Sequence, residues 1–583
     1  MTDDAIEAAT NVVDLFRRRV GERGDAPAVT VVADDVGAPV TVSYAELDRR
    51  ARAVAALLRH RTPGDRVVLL FPSGPDFVAA FLGALYAGMV VVPAPLPGRY
   101  AHQRRRVSAI AADSGARTVL TGTADLEVVR DWARQEPTDV DVLDIATPTD
   151  GDPFVEPTLT RTDLAMLQYT SGSTGDPKGV MVSHGNLLHN VGSLGRAMGF
   201  TGRTRFGGWI PLYHDMGLIG QLLPALFFGS ECVLMSPTAF LKRPVHWLTL
   251  IDRYDINYSA APNFAFEQCV HGVTDEQVAT LDLSRWTHSA NGSEPIRAQT
   301  LLAFAKRFAP AGYTSYALAP CYGLAEATVF VSGRGGREAV STRVDADALE
   351  RHEFRPVGPA TPGMDLVGCG TAHDFDVRVV DPTTRAIAGQ GRIGEIWLRG
   401  ASVTIGYWRN PTATAAVFGA TTAEGETGFL RTGDLGIVHD GELYVTGRIK
   451  ETLIIRGRNL YPQDIEHEIR AQHPELRPVV GAAFGVSAPT EHIVVIHEVR
   501  GRPDEARLRE LATSIRLMVT REFGVRPAGV VLLRPGSVRR TTSGKIQRTE
   551  MRTLFLSGGL NPVYEAIDPA IAAIRQPGAA GDG

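Results

Sequence analysis

From its start to about residue 440 the chain alternates helical patterns with short β-branched runs, and no other feature constrains its fold as strongly. Tyr44 to His60 reads as a helix, Arg66 to Phe71 as a strand and Asp76 to Ala87 as a helix. Such alternation implies an α/β fold with helices covering largely buried sheets. The longest apolar stretch, Phe77 to Val92, is interrupted by Gly83 and Gly88 and falls short of the roughly 20 residues that span a bilayer. It reads as a core helix leading into a buried strand, Met89 to Val92. After about Thr446 the pattern restarts as a smaller α+β unit, with strands at Val479–Val486, His492–Val499 and Gly529–Leu533 and a long helix at Glu505–Phe523. Pro462 suits the first turn of a helix over Gln463–Arg470. The expected organisation is a large N-terminal domain (1–446), a hinge (447–450), a small mobile domain (451–575) and a disordered tail (576–583).

Charge narrows the partners. The 583 residues carry 60 Lys+Arg against 65 Asp+Glu, a net charge of −5, with no basic run, which argues against nucleic acid. The acidic start, Met1-Thr-Asp-Asp, lacks the basic region of a secretory signal, so the mature protein is expected to begin there. Cys232, Cys269, Cys321 and Cys369 lie far apart with no CxxC spacing, indicating neither a zinc site nor a disulfide framework. The expectation is a cytoplasmic protein without a membrane span. Only five residues are lysine, at 178, 242, 306, 450 and 545; the other basic residues are arginine.

One of those lysines closes the most informative segment. Between two expected strands, Leu164–Tyr169 and Val180–Val182, lies Thr170-Ser171-Gly172-Ser173-Thr174-Gly175-Asp-Pro-Lys178-Gly179. Glycines and hydroxyl residues let backbone amides and Oγ atoms approach an anion closely, and Lys178 neutralises it: a polyphosphate cradle. It is not a Walker A loop, which needs Gly-Lys-Ser/Thr opening a helix. An isolated Gly/Ser loop would more often be a plain hairpin connection; length and residue order reverse that here.

The segment resembles the signature loop of the adenylate-forming superfamily of acyl-CoA synthetases, luciferases and peptide-synthetase adenylation domains. Further segments extend the resemblance in order. Trp209-Ile-Pro-Leu-Tyr-His214-Asp215-Met216-Gly217 resembles the acyl-pocket segment, and Asn291-Gly292-Ser293-Glu-Pro the loop against adenine. Tyr322-Gly323-Leu-Ala-Glu326 resembles the motif whose tyrosine stacks on adenine and whose glutamate helps hold Mg²⁺. Leu430-Arg-Thr-Gly-Asp434 resembles the ribose-binding turn, Gly447-Arg448-Ile-Lys450 the interdomain hinge, and Thr541-Thr-Ser-Gly-Lys545 the catalytic lysine loop. The resemblance implies ATP and Mg²⁺ as cofactors, Lys545, Glu326 and His214 as catalytic, with His214 beside the acyl carboxylate, and Arg448 on ribose or phosphate oxygens.

Joining a carboxylate to the α-phosphate of ATP sets two anions against each other, so neutralising charge and aligning the attack are the main tasks. A carboxylic acid is already ionised at neutral pH, so no protein nucleophile is required. The wording Leu167-Gln-Tyr-Thr, Tyr213-His-Asp-Met-Gly-Leu-Ile-Gly and Ile455-Arg-Gly-Arg-Asn-Leu-Tyr-Pro most resembles fatty acyl-AMP ligases. Extra chain between Ser332 and Cys369, including Leu349-Glu-Arg-His-Glu-Phe-Arg-Pro, resembles the insertion that marks them. The resemblance then implies a fatty acid substrate and transfer to the phosphopantetheine thiol of an acyl carrier protein. Two alternatives stay open: an acyl-CoA synthetase, and a non-catalytic acyl-adenylate-binding protein.

Overall fold

The computed structural model describes residues 3–32, 38–99, 101–135, 139–147, 155–170, 177–455, 458–488, 490–541 and 544–576. The α/β expectation holds. An eight-stranded sheet runs, edge to edge, through Ser332–Gly333, Leu318–Tyr322, His288–Asn291, Tyr258–Ala261, Phe206–Gly208, Cys232–Leu234, Pro27–Val31 and Val40–Ser43. Its interior pairings are parallel and its two edge pairings antiparallel. A six-stranded sheet runs through Asp141–Asp144, Thr118–Thr121, Arg66–Leu70, Val90–Ala94, Leu164–Thr170 and Lys178–Ser183.

Both faces of the six-stranded sheet are covered, as its near-continuous apolar strands require. Along Arg66–Leu70, Val67 and Leu69 enter one core cluster while Val68 and Leu70 enter another. The apolar helix Pro75–Tyr86 is buried from Phe77 through Tyr86. It then turns at Gly88 into the strand Val90–Ala94, so the stretch that is too short for a membrane is core. Among the described residues no helix is long and apolar enough to cross a membrane, and all four cysteines are free.

An antiparallel sheet of Asp376–Val380, Gly394–Arg399, Leu430–His439 and Glu442–Arg448 follows. The small unit is a mixed sheet of Gly481–Ser487, Glu491–Glu498, Gly529–Leu533 and Pro562–Ile567. The helix Glu505–Phe523 has the bounds expected from its stripe of Leu508, Leu511, Ala512, Ile515, Met518 and Val519. That stripe covers the face carrying Val495, Val530 and Leu532. Met551 and Phe555 of helix Arg548–Leu556 cover the opposite face, which carries Val494, Ile496 and Val531.

Two local expectations change. Leu430–Asp434, read as a turn, is the start of a ten-residue strand; the turn-like chemistry survives as Gly433, at φ +72°. The strand Glu442–Arg448 runs beyond Thr446, so Gly447 and Arg448 still pair with Leu435 and Asp434.

Candidate active site

Parallel strands deliver their loops to one edge, which is why segments far apart in sequence meet there. Trp209 follows Phe206–Gly208, Phe264 follows Tyr258–Ala261, Gly292 and Ser293 follow His288–Asn291, and Gly323 follows Leu318–Tyr322. Two glycines are dictated by close backbone approach. A Cβ on Gly323 would lie 1.6 Å from the Val329 carbonyl oxygen, and one on Gly217 would lie 2.3 Å from that of Pro211.

A cleft of about 1020 Å³ opens at this edge and is bounded on its far side by the small domain; Ser293, Tyr322, Gly323, Asp434, Arg448 and Lys545 all line it. Asp434 is 4% exposed. Its Oδ2 accepts from Tyr322 OH at 2.8 Å and its Oδ1 from Arg448 Nε at 2.8 Å. Each oxygen keeps a second lone pair for a ligand hydroxyl. The neighbouring Asp434 carboxylate raises the Arg448 guanidinium above its ordinary range, the strongest of several influences. Asn291, two residues before Ser293, is fully buried and its Oδ1 has no hydrogen-bond partner. Ser293 adopts φ 71° and donates to Met216 Sδ at 3.5 Å, joining two of the expected segments.

His214 caps a short helical turn, Asp215–Gly217, with Nδ1 2.7 Å from Asp215 Oδ1. Burial pushes the Asp215 carboxyl up, but His214 and Lys545 beside it outweigh that and hold it below its usual range. Trp209 stacks on Phe240 with centroids 4.2 Å apart, and Phe264 stands 6.1 Å from Trp209.

Lys545 comes from the small domain. Its loop is closed by Thr541, whose N–H donates to the Lys545 carbonyl at 2.7 Å and whose Oγ1 accepts from Lys545 N at 3.0 Å. Gly544, at φ +88°, lies so close to Phe264 that a Cβ would approach the ring to 2.6 Å. Burial first, and Arg448 second, lower the Lys545 pKa; Asp215, Glu294 and Asp434 oppose them. The small domain is held down by Arg297, which donates to the Gln463 carbonyl at 2.5 Å and pairs with Asp464 at 3.4 Å.

The expected phosphate side begins at a strand pair. Strands Leu164–Thr170 and Lys178–Ser183 pair so that Thr170 faces Lys178. Ser171, Gly172, Ser173, Thr174 and Gly175 lie outside the described residues, as do Thr542, Ser543 and 577–583 of the expected tail. The Lys178 ammonium sits 5.1 Å from the centre of the Tyr407 ring, and Tyr407 OH donates to Glu326 Oε1 at 2.7 Å. Tyr407 thus joins two candidate residues, yet sequence reasoning passed over it. Its only signal was position in Gly406-Tyr-Trp, and no spacing argument linked that to Glu326, 81 residues away. Lys450 lies outside the cleft, exposed in the turn after Arg448.

The extra chain is ordered. Ser341–Val344 pairs antiparallel with Met364–Val367, and Phe354 packs 4.9 Å from the Tyr444 ring of the large domain. On its other side, Glu350 ends the helix Ala346–Glu350 and accepts from Arg458 Nε and Nη2, both at 2.6 Å. Asn459 Nδ2 donates to the Glu350 carbonyl at 2.8 Å.

A family model described as "AMP-binding enzyme" matches residues 16–408. The chain is 39% identical over 568 residues to a medium-chain-fatty-acid–[acyl-carrier-protein] ligase, JamA, of Moorena producens, covering 95% of this chain and 96% of that one. It is 37% identical over 591 residues to the long-chain-fatty-acid–AMP ligase FadD26 of Mycobacterium bovis, covering 96% and 99%. A structure from studies of fatty acyl-adenylate ligases from E. coli and L. pneumophila superposes with a TM-score of 0.85 at 32% identity, covering 94% and 97%.

Proposed function

Because the chain belongs to the AMP-binding enzyme family, we propose that it is a fatty acyl-AMP ligase that adenylates a fatty acid with ATP, releases pyrophosphate, and passes the acyl group to the phosphopantetheine thiol of an acyl carrier protein. The observation that carries this reading is Lys545 of the small domain standing in one cleft with Tyr322, Asp434 and Arg448 of the large one. A cation there meets both the incoming carboxylate and the α-phosphate.

In this reading Tyr322 and Asn291 hold adenine, and Asp434 accepts from the vicinal ribose hydroxyls. Arg448 and Lys545 meet phosphate oxygens, and His214, oriented by Asp215, faces the acyl carboxylate. Thr170, Lys178 and the loop between them cradle the outer phosphates. The carboxylate oxygen attacks the α-phosphorus, the bond to the bridging oxygen breaks, and pyrophosphate leaves with that electron pair. Lys545 keeps its proton and stabilises charge, since the leaving pyrophosphate needs none.

Mg²⁺ fits the donor set. Among the described residues no cluster of three or more His, Cys, Asp or Glu could hold a metal alone; Glu326 supplies one carboxylate, matching an ion that takes its other ligands from phosphates and water. When bound, it neutralises phosphate charge.

The insertion supports a carrier protein over free CoA. Glu350 grips Arg458 and Asn459 on the small domain while Phe354 anchors the same segment to the large one, opposing the rotation that a transferring arrangement needs. All of this chemistry suits the cytoplasm. The test supplies purified protein with ATP, fatty acid and either free CoA or a phosphopantetheinylated carrier protein. Acyl loading of the carrier with little acyl-CoA is expected; equal turnover of CoA would make the chain an acyl-CoA synthetase, and no pyrophosphate release would make it a binding protein.

A further inference from the structure

Three residues after Lys545 the chain enters the helix Arg548–Leu556, and Arg548 is its first residue. A cation in the first turn opposes the helix dipole, so this arginine needs another reason to stand there. Its side chain is 14% exposed and lies between two carboxylates. Nε and Nη2 donate to Glu466 Oε1 and Oε2, both at 2.7 Å, and Nη1 donates to Glu451 Oε2, also at 2.7 Å. Burial works against this charge, but Glu466 and Glu451 outweigh it and hold the guanidinium above its ordinary range. A planar fork can grip one carboxylate with two donors and still reach a second, which an ammonium cannot do.

The two carboxylates sit on different elements. Glu466 belongs to the helix Pro462–Gln472 and also accepts from Ala483 N at 2.9 Å, so it ties that helix to the small sheet. Glu451 directly follows Lys450, in a turn where its own N–H and that of Thr452 donate to the Arg448 carbonyl at 3.0 and 2.9 Å. It also stands close enough to Arg448 to support, after Asp434 and against burial, that guanidinium's raised pKa. Arg448, Glu451, Glu466, Arg548 and Lys545 line the same cleft. The chain between Arg548 and Lys545 is itself pinned, because Gln547 N–H donates to the Arg539 carbonyl at 2.9 Å and Thr541 N–H to the Lys545 carbonyl at 2.7 Å.

We propose that Glu451 and Arg548 are positioning residues for Lys545: their pair joins the first residue after Lys450 to the lysine loop, so that both turn as one body. The pair thereby sets where the Lys545 ammonium stands in the cleft, and a misplacement of about 1 Å can cost on the order of a hundredfold in rate. Attack of a thiol on a finished acyl-adenylate takes place at the acyl carbon, with AMP leaving, and needs no cation between a carboxylate and the α-phosphate. The two half-reactions therefore depend on the pair to different degrees. The inference rests on the adenylating reading above.

The test measures the half-reactions separately, as pyrophosphate release from ATP and fatty acid, and as carrier loading from synthetic acyl-adenylate. Glu451→Gln keeps the shape and removes the charge; Arg548→Lys keeps the charge and removes the fork. Each is expected to lower kcat for adenylation by about tenfold or more, with KM for ATP and fatty acid and the loading rate all within about twofold of native. Should Glu451→Gln fail to fold, the split in Arg548→Lys decides. Equal loss of both half-reactions, a loss carried by KM, adenylation left at the native rate, or failure of both variants to fold makes the cluster a structural ion pair and overturns the proposal. No pyrophosphate release from the native protein overturns the adenylating reading itself, and so is told apart.

Discussion

Lys545 shows what a single residue contributes. Its ammonium is pulled down by burial and by Arg448, yet the proposed chemistry needs it charged. As pH rises through its lowered pKa the charge is lost earlier than for a free lysine near ~10.4. The alkaline limb of kcat/KM for adenylation is therefore expected below that value, and a limb at the ordinary lysine position would count against the assignment. Stability moves the other way: the unfolded chain keeps this proton longer, so the penalty on the buried charge is relieved as pH climbs between the folded and unfolded pKa values. Lys545→Ala should abolish adenylate formation with little change in Tm. Tyr407 acts through its neighbours, bonding Glu326 and lying under Lys178. Tyr407→Phe keeps the ring and removes only the hydroxyl, and an apparent Mg²⁺ affinity weaker by about tenfold is expected from loss of such a supporting bond. Titration with Mn²⁺ and ATP, read by electron spin resonance, checks this independently of turnover. The remaining lysines, Lys242 and Lys306, had no visible role in the sequence; both occupy the last turn of a helix, where a cation meets the negative end of the helix dipole.

At the scale of elements, the loop after strand Leu318–Tyr322 is set by a contact that only glycine permits. Gly323→Ala would drive a Cβ into the Val329 carbonyl, so the backbone must shift and carry Tyr322 away from Asp434. A loss of stability of up to about 3 kcal/mol is expected from such overpacking, with a raised KM for ATP, measured by thermal melting and pyrophosphate exchange. Elements with strong periodicity were legible in the sequence. The strand Gly529–Leu533 and the helix Glu505–Phe523 have the bounds their patterns indicate, because burial of one stripe or one run decides them locally. The helix from Tyr44 ends at Leu57 instead of His60, where Leu58 N–H bonds back into the last turn. The π-helical turn at Leu218–Leu222 was not legible, since a single extra residue per turn leaves no mark on an apolar sequence.

At the scale of the molecule, the segment between Ser341 and Val367 and the small domain form one clasp. Glu350 and Arg458 are 21% and 37% exposed, so breaking the pair should cost no more than about 1 kcal/mol of stability. Glu350→Ala is instead expected to free the small domain and raise acyl transfer to CoA relative to the native protein, scored by acyl-CoA formation at unchanged adenylation rate. Lys450, exposed at the turn between the domains, is proposed as the pivot; Lys450→Pro locks φ and should impair carrier loading more than adenylation. The sequence by itself determined the α/β class, the two-part organisation and the order of the segments proposed for phosphate, adenine, ribose and the catalytic lysine, because periodicity and motif chemistry are local properties. Only the tertiary structure decided that Tyr407 bonds Glu326, that Gly544 seats against Phe264 and that Glu350 clasps Arg458. Those contacts join residues brought together by strand order and domain docking, and no local pattern in the chain encodes a distance between them.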